Sequence, residues 1–333
     1  SAYPVNLIPV PKETGLSAGY LRPADGIITL ADGGGANRGG YRWRGVHYRV
    51  MGNSLLAVGS DGLFAPVGAI AGTGWVVFDE SFDYLAINGG GLLYLYDGTT
   101  LTQVTDVDWG TSLDMVWING YFVSTDGEFL ISSDINDPFS YNILRYASSE
   151  ISPDPVVALQ KIRNEIYALN RYTVEVFGAV TNPGEGFPFA RIEGAQIMKG
   201  AVGSRACCEF MQALAFVGGG VNDPPSVWMG ASAQASKIST RDIDAILRGY
   251  TDVTLSSLVM ESRPDLGHEF LYVHMPDQTL VYDGAASASL GQPVWHILKS
   301  AAGYRARGFV WCYGQWNVAD PFGTKIGKLT TEV

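Results

Sequence analysis

A chain of 333 residues with 41 glycines, 16 prolines, 17 Tyr, 14 Phe and 8 Trp combines turn formers with aromatic strand formers, which is typical of an all-β protein. Its 33 acidic and 22 basic side chains give a net charge of −11, which argues against a protein that holds nucleic acid chiefly through phosphate contacts. The three cysteines form no spaced disulfide framework and favour a reducing compartment, and no apolar run approaches the roughly 18 residues of a membrane span.

The first 40 residues are expected to form an extended segment that precedes a folded domain at 41–333. Pro4, Pro9 and Pro11 exclude a helix and a regular central strand. The glycines at 33–35 and 39–40 predict a mobile turn, because the Gly-Lys-Ser/Thr of a phosphate-binding loop is missing. The start at Ser1-Ala2, with neither Met nor a signal-peptide pattern, indicates a trimmed chain.

One unit recurs along the chain: a strand, a tight turn, a second strand, and often Asp-Gly. Its clear copies have Asp-Gly at 61–62, 97–98, 126–127 and 283–284. Hairpin turns are predicted near residues 53, 89, 119, 164, 212, 277 and 314, mostly 30 to 48 residues apart, which is close to the length of a four-stranded blade. The sequence therefore predicts an all-β fold, a β-propeller of six or seven blades.

The longest interval between turns holds an insertion at about 230–265 with one short predicted helix, Thr240–Arg248. Ser239 or Thr240 caps it and Gly249 ends it. Its apolar face, which is expected either to pack across a blade edge or to dock a partner, consists of Ile243, Ile246, Leu247 and Tyr250.

Residues that carry catalytic or metal chemistry do not converge in the sequence. The Asp pairs at 106–108 and 134–137 lack the spacing and closing Glu of an EF-hand. Residues 132–139 faintly resemble the Asp-box turn of sialidase-type propellers, a turn device that is not catalytic. The histidines, which lack the spacing of a zinc site, are His47, His268, His274 and His296. We therefore predict no enzyme and no catalytic, cofactor or metal residues; the alternative is a carbohydrate-binding or glycosidase-type propeller.

One basic–aromatic stretch is a candidate for contact with DNA. Arg42, Trp43 and Arg44 combine guanidinium groups with an aromatic ring, a combination that stacks on bases and neutralises phosphates. A blade strand with alternating faces explains the same pattern. Arg305 and Arg307 form a second candidate.

Three stretches of the chain resemble a known family. They are the N-terminal run Pro4-Val5-Asn6-Leu7, Pro11-Lys12-Glu13 and Gly19 to Ile27, then 225–251, then 268–299. In this order they are similar to the packaged-DNA stabilisation proteins, also called tail accessory or tail hub proteins, of short-tailed phages. The middle of the chain, about 60–200, matches them only loosely.

The resemblance implies a structural role in the virion tail for a protein made in the host bacterial cytoplasm. Family members form a homo-hexameric ring below the portal and its adaptor ring, help close the channel so that packaged DNA does not leak, and seat a tail needle or spike. They have no catalytic residues or cofactors. They continue into a further β region beyond the position of Val333, so we expect this chain alone to be a monomer. From the net charge and the lack of a long apolar run we expect neither tight DNA binding nor membrane contact.

Overall fold

The computed structural model describes residues 3–12, 17–149 and 153–332. Ser1, Ala2 and Glu13, which the sequence analysis used, lie outside these ranges. Within them the chain forms one two-stranded hairpin and seven sheets of four or five antiparallel strands, each of which is one blade. The fold is therefore a seven-bladed β-propeller, which confirms the predicted class and decides between six and seven blades.

The strands follow one another blade by blade. The N-terminal segment contains β1 Leu7–Pro11 paired with β2 Gly19–Pro23, then β3 Gly26–Asp32. Blade one contains β4 Asn37–Trp43, β5 Val46–Met51, β6 Ser54–Val58 and β7 Phe64–Ala69; blade two contains β8 Val77–Glu80, β9 Leu85–Gly89, β10 Leu92–Tyr96 and β11 Leu101–Gln103. Blade three contains β12 Asp114–Ile118, β13 Tyr121–Thr125, β14 Phe129–Asp134 and β15 Asp137–Ser148, and a 3₁₀ turn at Val107–Trp109 precedes it.

Three further blades complete the middle of the chain. Blade four contains β16 Val156–Ile162, β17 Glu165–Asn170, β18 Val174–Ala179 and β19 Phe189–Arg191. Blade five contains β20 Gly200–Ala201 and β21 Cys207–Phe210, which both pair with β22 Ala213–Gly219, then β23 Ser226–Ala231 and β24 Gln234–Lys237. Helices α1 Arg241–Arg248 and α2 Asp252–Ser256 precede blade six, which contains β25 Val259–Asp265, β26 His268–His274, β27 Thr279–Asp283 and, after α3 Gly284–Leu290, β28 Trp295–Leu298.

Blade seven joins the two ends of the chain. It contains β29 Arg307–Cys312, β30 Gln315–Ala319 and β31 Lys325–Thr330, and its outer strand is β3. The register runs from Gly26 opposite Thr330 to Asp32 opposite Lys325. The sequence analysis placed the boundary between the extended segment and the propeller at residue 40. In the structure this boundary falls inside β4, because β3 and the first half of β4 are already blade strands.

Each of the seven predicted hairpin turns joins two adjacent strands of one blade. At Asn119–Gly120 the backbone φ angles are 52° and 89°, the left-handed pair that a two-residue hairpin turn needs and that Asn-Gly adopts at low cost. The glycine-rich segment 33–40 differs from the predicted mobile turn, because Arg38 is buried there. Its guanidinium donates hydrogen bonds to the carbonyls of Gly52, Ile70, Ala71 and Gly74.

The helices differ from the single one that was predicted. Thr240 caps α1 by accepting a hydrogen bond from the Ile243 N–H, as expected, and α2 follows directly in the same insertion. The last Asp-Gly pair is no turn between strands: Asp283 caps α3 by accepting from the Ala286 N–H at 3.1 Å. Among the described residues no helix is long and apolar enough to cross a membrane.

The chain divides into two compact units. Unit 1, residues 1–24, 149–180 and 189–304, contains the N-terminal hairpin and blades four to six, and its apolar core includes Phe210, Leu271 and Trp295. Unit 2, residues 25–148, 181–188 and 305–333, contains blades one to three and blade seven. One of its apolar clusters joins Met51 and Leu56 of blade one to Ile326 of blade seven.

Ile326 tests whether closure by β3 and β31 stabilises the fold. Its side chain is fully buried, so Ile326→Ala should lower the free energy of unfolding by about 2–5 kcal/mol through lost burial and a residual cavity. Urea unfolding followed by tryptophan fluorescence measures this. Ile28→Ala on the facing β3 is the control, because that exposed side chain leaves no cavity; equal effects of the two would contradict the assignment.

Candidate functional site

The histidines of blade six contact neighbouring side chains of the core. In the described part of the chain no three His, Cys, Asp or Glu side chains are arranged to hold a metal ion. His268 Nδ1 lies 2.5 Å from Asp283 Oδ2, and its ring stacks on Phe270 at 4.9 Å. His274 Nδ1 lies 2.9 Å from Thr279 Oγ1. These imidazoles position strands of blade six.

Like His47, His296 is a buried histidine whose pKa lies well below its ordinary value; at His47 burial is the main cause and the nearby Arg49 guanidinium adds to it. The His296 side chain is buried, its ring meets Phe270 edge-on at 5.7 Å, and its Nδ1 atom has no hydrogen-bond partner among the residues that the structure describes. Burial lowers its pKa to about 3, because a charged imidazolium there would lose its hydration. His296 is therefore neutral near pH 7 and packs as an aromatic side chain.

The candidate DNA-contact residues are not equally accessible. Trp43 is only 2% exposed, with Tyr96 at 5.8 Å and the Arg44 guanidinium over its ring at 4.3 Å. It has no free face on which a base could stack, so this position is corrected to a core residue. Arg42 and Arg44 are exposed.

Two other arginines, Arg49 and the second-candidate residue Arg305, have partners within the chain. Arg49, which follows the basic–aromatic stretch, is fully buried and donates to Asn37 Oδ1 at 2.9 Å and to the Gly308 carbonyl at 2.6 Å. Arg305 pairs with Asp320, and its guanidinium lies 5.4 Å from the Phe322 ring.

The apolar face of α1 belongs to the core of unit 1. Ile243 and Leu247 are fully buried in the same cluster as Trp295, while Ile246 and Tyr250 are half-buried and pack against it. This is the packing alternative of the sequence analysis. Ile243 and Leu247 cannot contact a partner from these positions, because no surface of either side chain is exposed.

The outer side of α1 presents positive charge instead. A groove of about 470 Å³ lies beside it, lined by Lys199, Asp223, Pro224, Ser226, Trp228, Lys237, Arg241, Asp244 and Arg248. Lys199 pairs with Asp223 and Lys237 with Asp244. Arg241 and Arg248 are exposed, lie on one face because they are seven residues apart, and have no ion pair within the described ranges. Two such guanidinium groups suit a carboxylate or phosphate.

Sequence reasoning missed these two arginines. The signal was present, since Arg241 is the second residue and Arg248 the last residue of the predicted helix. The apolar residues of the helix predicted a contact on its other face, and that face is buried in the structure.

The fold defines the chain as a seven-bladed β-propeller, a class that hosts many unrelated functions. The N-terminal domain of Nup159 has this fold in common at a TM-score of 0.54, with 10% identity and 99% of each chain covered. The Neurospora crassa Pan2 WD40 domain does so at 0.53, with 10% identity over 93% of this chain and 96% of that one. At such identities the likeness concerns the fold alone.

Sequence comparison specifies the class. Residues 1–333 match the family described as "Bacteriophage P22 Gp10, beta-propeller", and the chain belongs to this family. It is 30% identical to the "Tail hub protein gp10" of Salmonella phage P22 over 353 aligned positions, which cover 99% of this chain and 72% of that protein. The family resemblance inferred from the sequence is therefore confirmed.

The protonation of His296 can be measured directly. We expect its ring resonances, assigned by their loss in His296→Phe, to show no titration between pH 8 and 5, because its folded-state pKa is about 3. The unfolded chain takes up that proton near pH 6.5, so the free energy of unfolding should fall as the pH drops from 6.5 towards 3, and less steeply in His296→Phe. A titration midpoint near 6.5 in the folded protein would contradict this.

Proposed function

We propose that this chain is a structural component of a phage tail. The observation that carries the proposal is the family match across all 333 residues, together with 30% identity to a protein named as a tail hub. The blades are a scaffold whose loops and edges provide contact surfaces, which suits a part that is held between other proteins. We propose no enzymatic activity for it.

Within the tail we assign it a sealing and linking role. It would form a homo-hexameric ring below the portal-adaptor ring, help close the portal channel so that packaged DNA is retained, and connect to a distal tail needle or spike. The net charge of −11 supports this role, because an acidic protein can border DNA without adhering to it. Partner docking by α1 is proposed for the outward Arg241 and Arg248, and DNA contact for Arg42 and Arg44.

Retention of DNA by assembled particles tests the tail role. Phage particles assembled without the full-length protein should package DNA and then lose it, because the channel stays open. Nuclease-resistant genome copies per particle, measured after packaging, should recover when the wild-type protein is supplied in trans. The buried-core variant Ile326→Ala serves as a control for dependence on the folded propeller. Equal retention with and without the protein would contradict the proposal.

Binding of duplex DNA tests the minor role of the arginines. We expect a Kd weaker than about 1 μM at physiological salt, in the range of non-specific binding. Arg42→Ala combined with Arg44→Ala should weaken it further and reduce the slope of log K against log salt by about 2, for two lost phosphate contacts. The pair Arg163→Ala and Arg171→Ala, on blade four, is the matched control. Equal salt slopes for both double variants would exclude Arg42 and Arg44 as contacts.

A further inference from the structure

Blade three carries an apolar groove that the sequence analysis did not detect. Its volume is about 310 Å³, and Asp108 and Asp126 lie at its edge. Its apolar lining consists of Trp109, Phe129, Ile131, Ile143, Leu144 and Tyr146. All of these residues belong to unit 2. Trp109 and Ile131 also contact the apolar core of unit 2, so the floor of the groove is continuous with that core.

A bulge in the outer strand of the blade builds one wall of the groove. In the β14–β15 pairing, Tyr146 lies opposite Ile131 and Tyr141 lies opposite Ser133. One residue of β14 therefore faces the four residues 142–145 of β15, which have no partner in the β14–β15 register. Ile143 and Leu144 lie at the tip of the bulge, where 57% and 80% of their surfaces are exposed.

Polar contacts brace the bulge from both sides. The Ile143 N–H donates to Asp108 Oδ2 at 3.2 Å, and the Leu144 N–H donates to Asn142 Oδ1 at 3.0 Å. Arg145 forms an ion pair with Asp134, and its Nε donates to the Glu185 carbonyl at 3.1 Å. Two large apolar side chains are thus held out in solvent by a fixed backbone, which costs free energy unless something covers them.

The charge around the groove restricts what can cover it. Residues 50–144, which form most of blades one to three, contain 12 acidic side chains and not one Lys, Arg or His. Arg145, the next cation along the chain, is already engaged by Asp134. Nucleic acid and other polyanions are repelled from such a surface. A second copy of this chain, itself at −11, is a poor match for the same reason.

We propose that the blade-three groove binds a segment of a partner protein in which large apolar side chains alternate with Lys or Arg. The apolar side chains would enter the groove between Trp109 and the bulge, and the cations would face Asp108 and Asp126. A volume of about 310 Å³ lies at the lower end of the range for binding pockets, which suits one or two large side chains rather than a helix. The identification of the partner as another tail protein rests on the proposed function. The chemistry of the bound segment is argued from the groove alone.

The first experiment uses the full chain and the synthetic amide Lys-Leu-Lys-Phe-Lys-Leu-Lys. Isothermal titration calorimetry should show saturable binding that weakens as salt rises. Two peptides of the same length separate the contributions: one with every Lys replaced by Glu, and one with every Leu and Phe replaced by Ser. Both should bind at least about tenfold more weakly. Equal binding of either control peptide would overturn the proposal.

A matched pair of variants locates the binding site. Leu144→Lys places a charge at the tip of the bulge, on a side chain too exposed for the change to unfold the blade. Leu63→Lys makes the same change at a side chain that is 75% exposed in unit 2 but does not line the groove. Leu144→Lys should weaken peptide binding about tenfold and Leu63→Lys should leave it unchanged. Equal binding by the two variants would place the peptide elsewhere and overturn the proposal.

Two further readouts separate the groove from the tail role. If wild-type chain self-associates in sedimentation and Leu144→Lys abolishes this, the occupant is a second copy and the proposal is wrong. Peptide binding does not depend on tail assembly. A chain that binds the peptide through Leu144 but never restores DNA retention would therefore refute the proposed function while supporting the groove.

Discussion

The pairing of β3 with β31 is the constraint on which the rest of blade seven and its neighbour depend. Three consecutive strands at the end of the chain cannot complete a four-stranded blade, so the fourth comes from residues 26–32. The closure places Ile326 against Met51 and Leu56 of blade one. It also brings the Gly308 carbonyl within hydrogen-bonding distance of the buried Arg49 guanidinium. A buried cation is tolerated there because acceptors from two blades surround it.

The distribution of charge follows a similar logic. Two cations of blade one are buried and have partners inside the protein: Arg38 donates hydrogen bonds to four carbonyls, and Arg49 is enclosed. The 95 residues that follow Arg49 contain acidic side chains but no Lys, Arg or His. Blades two and three therefore present negative charge around exposed apolar side chains. The groove beside α1 is the counterpart in unit 1, where Arg241 and Arg248 stand free of ion pairs within the described residues. These two surfaces differ in sign and in polarity, so they suit different partners.

Local patterns predicted the repeated part of the fold well. Asn119–Gly120 is an example. A two-residue hairpin turn needs positive φ at both positions, and Asn and Gly are the residue types that adopt positive φ most readily, so the turn can be predicted from the sequence. The same reasoning predicted a turn at Asp283-Gly284, where the structure has the start of α3. Asp followed by Gly can also begin a helix, because the Asp carboxylate accepts hydrogen bonds from the free N–H groups of the first helical turn. For the site, the pattern selected α1 and the 42–44 stretch as candidates. It could not tell that Ile243, Leu247 and Trp43 are enclosed, because enclosure depends on neighbours that are distant in sequence.

The sequence by itself determined the fold class, the positions of the seven hairpins and the family, because turn chemistry, strand composition and a long ordered resemblance are local or linear properties. The tertiary structure alone decided the number of blades, the use of β3 to close the last one, and which side chains meet solvent. The blade-three groove belongs to this second group. Ile143 and Leu144 look like ordinary strand residues in the sequence. Only the registers on either side of them, Ile131 with Tyr146 and Ser133 with Tyr141, show that they lie in a bulge without partners in β14.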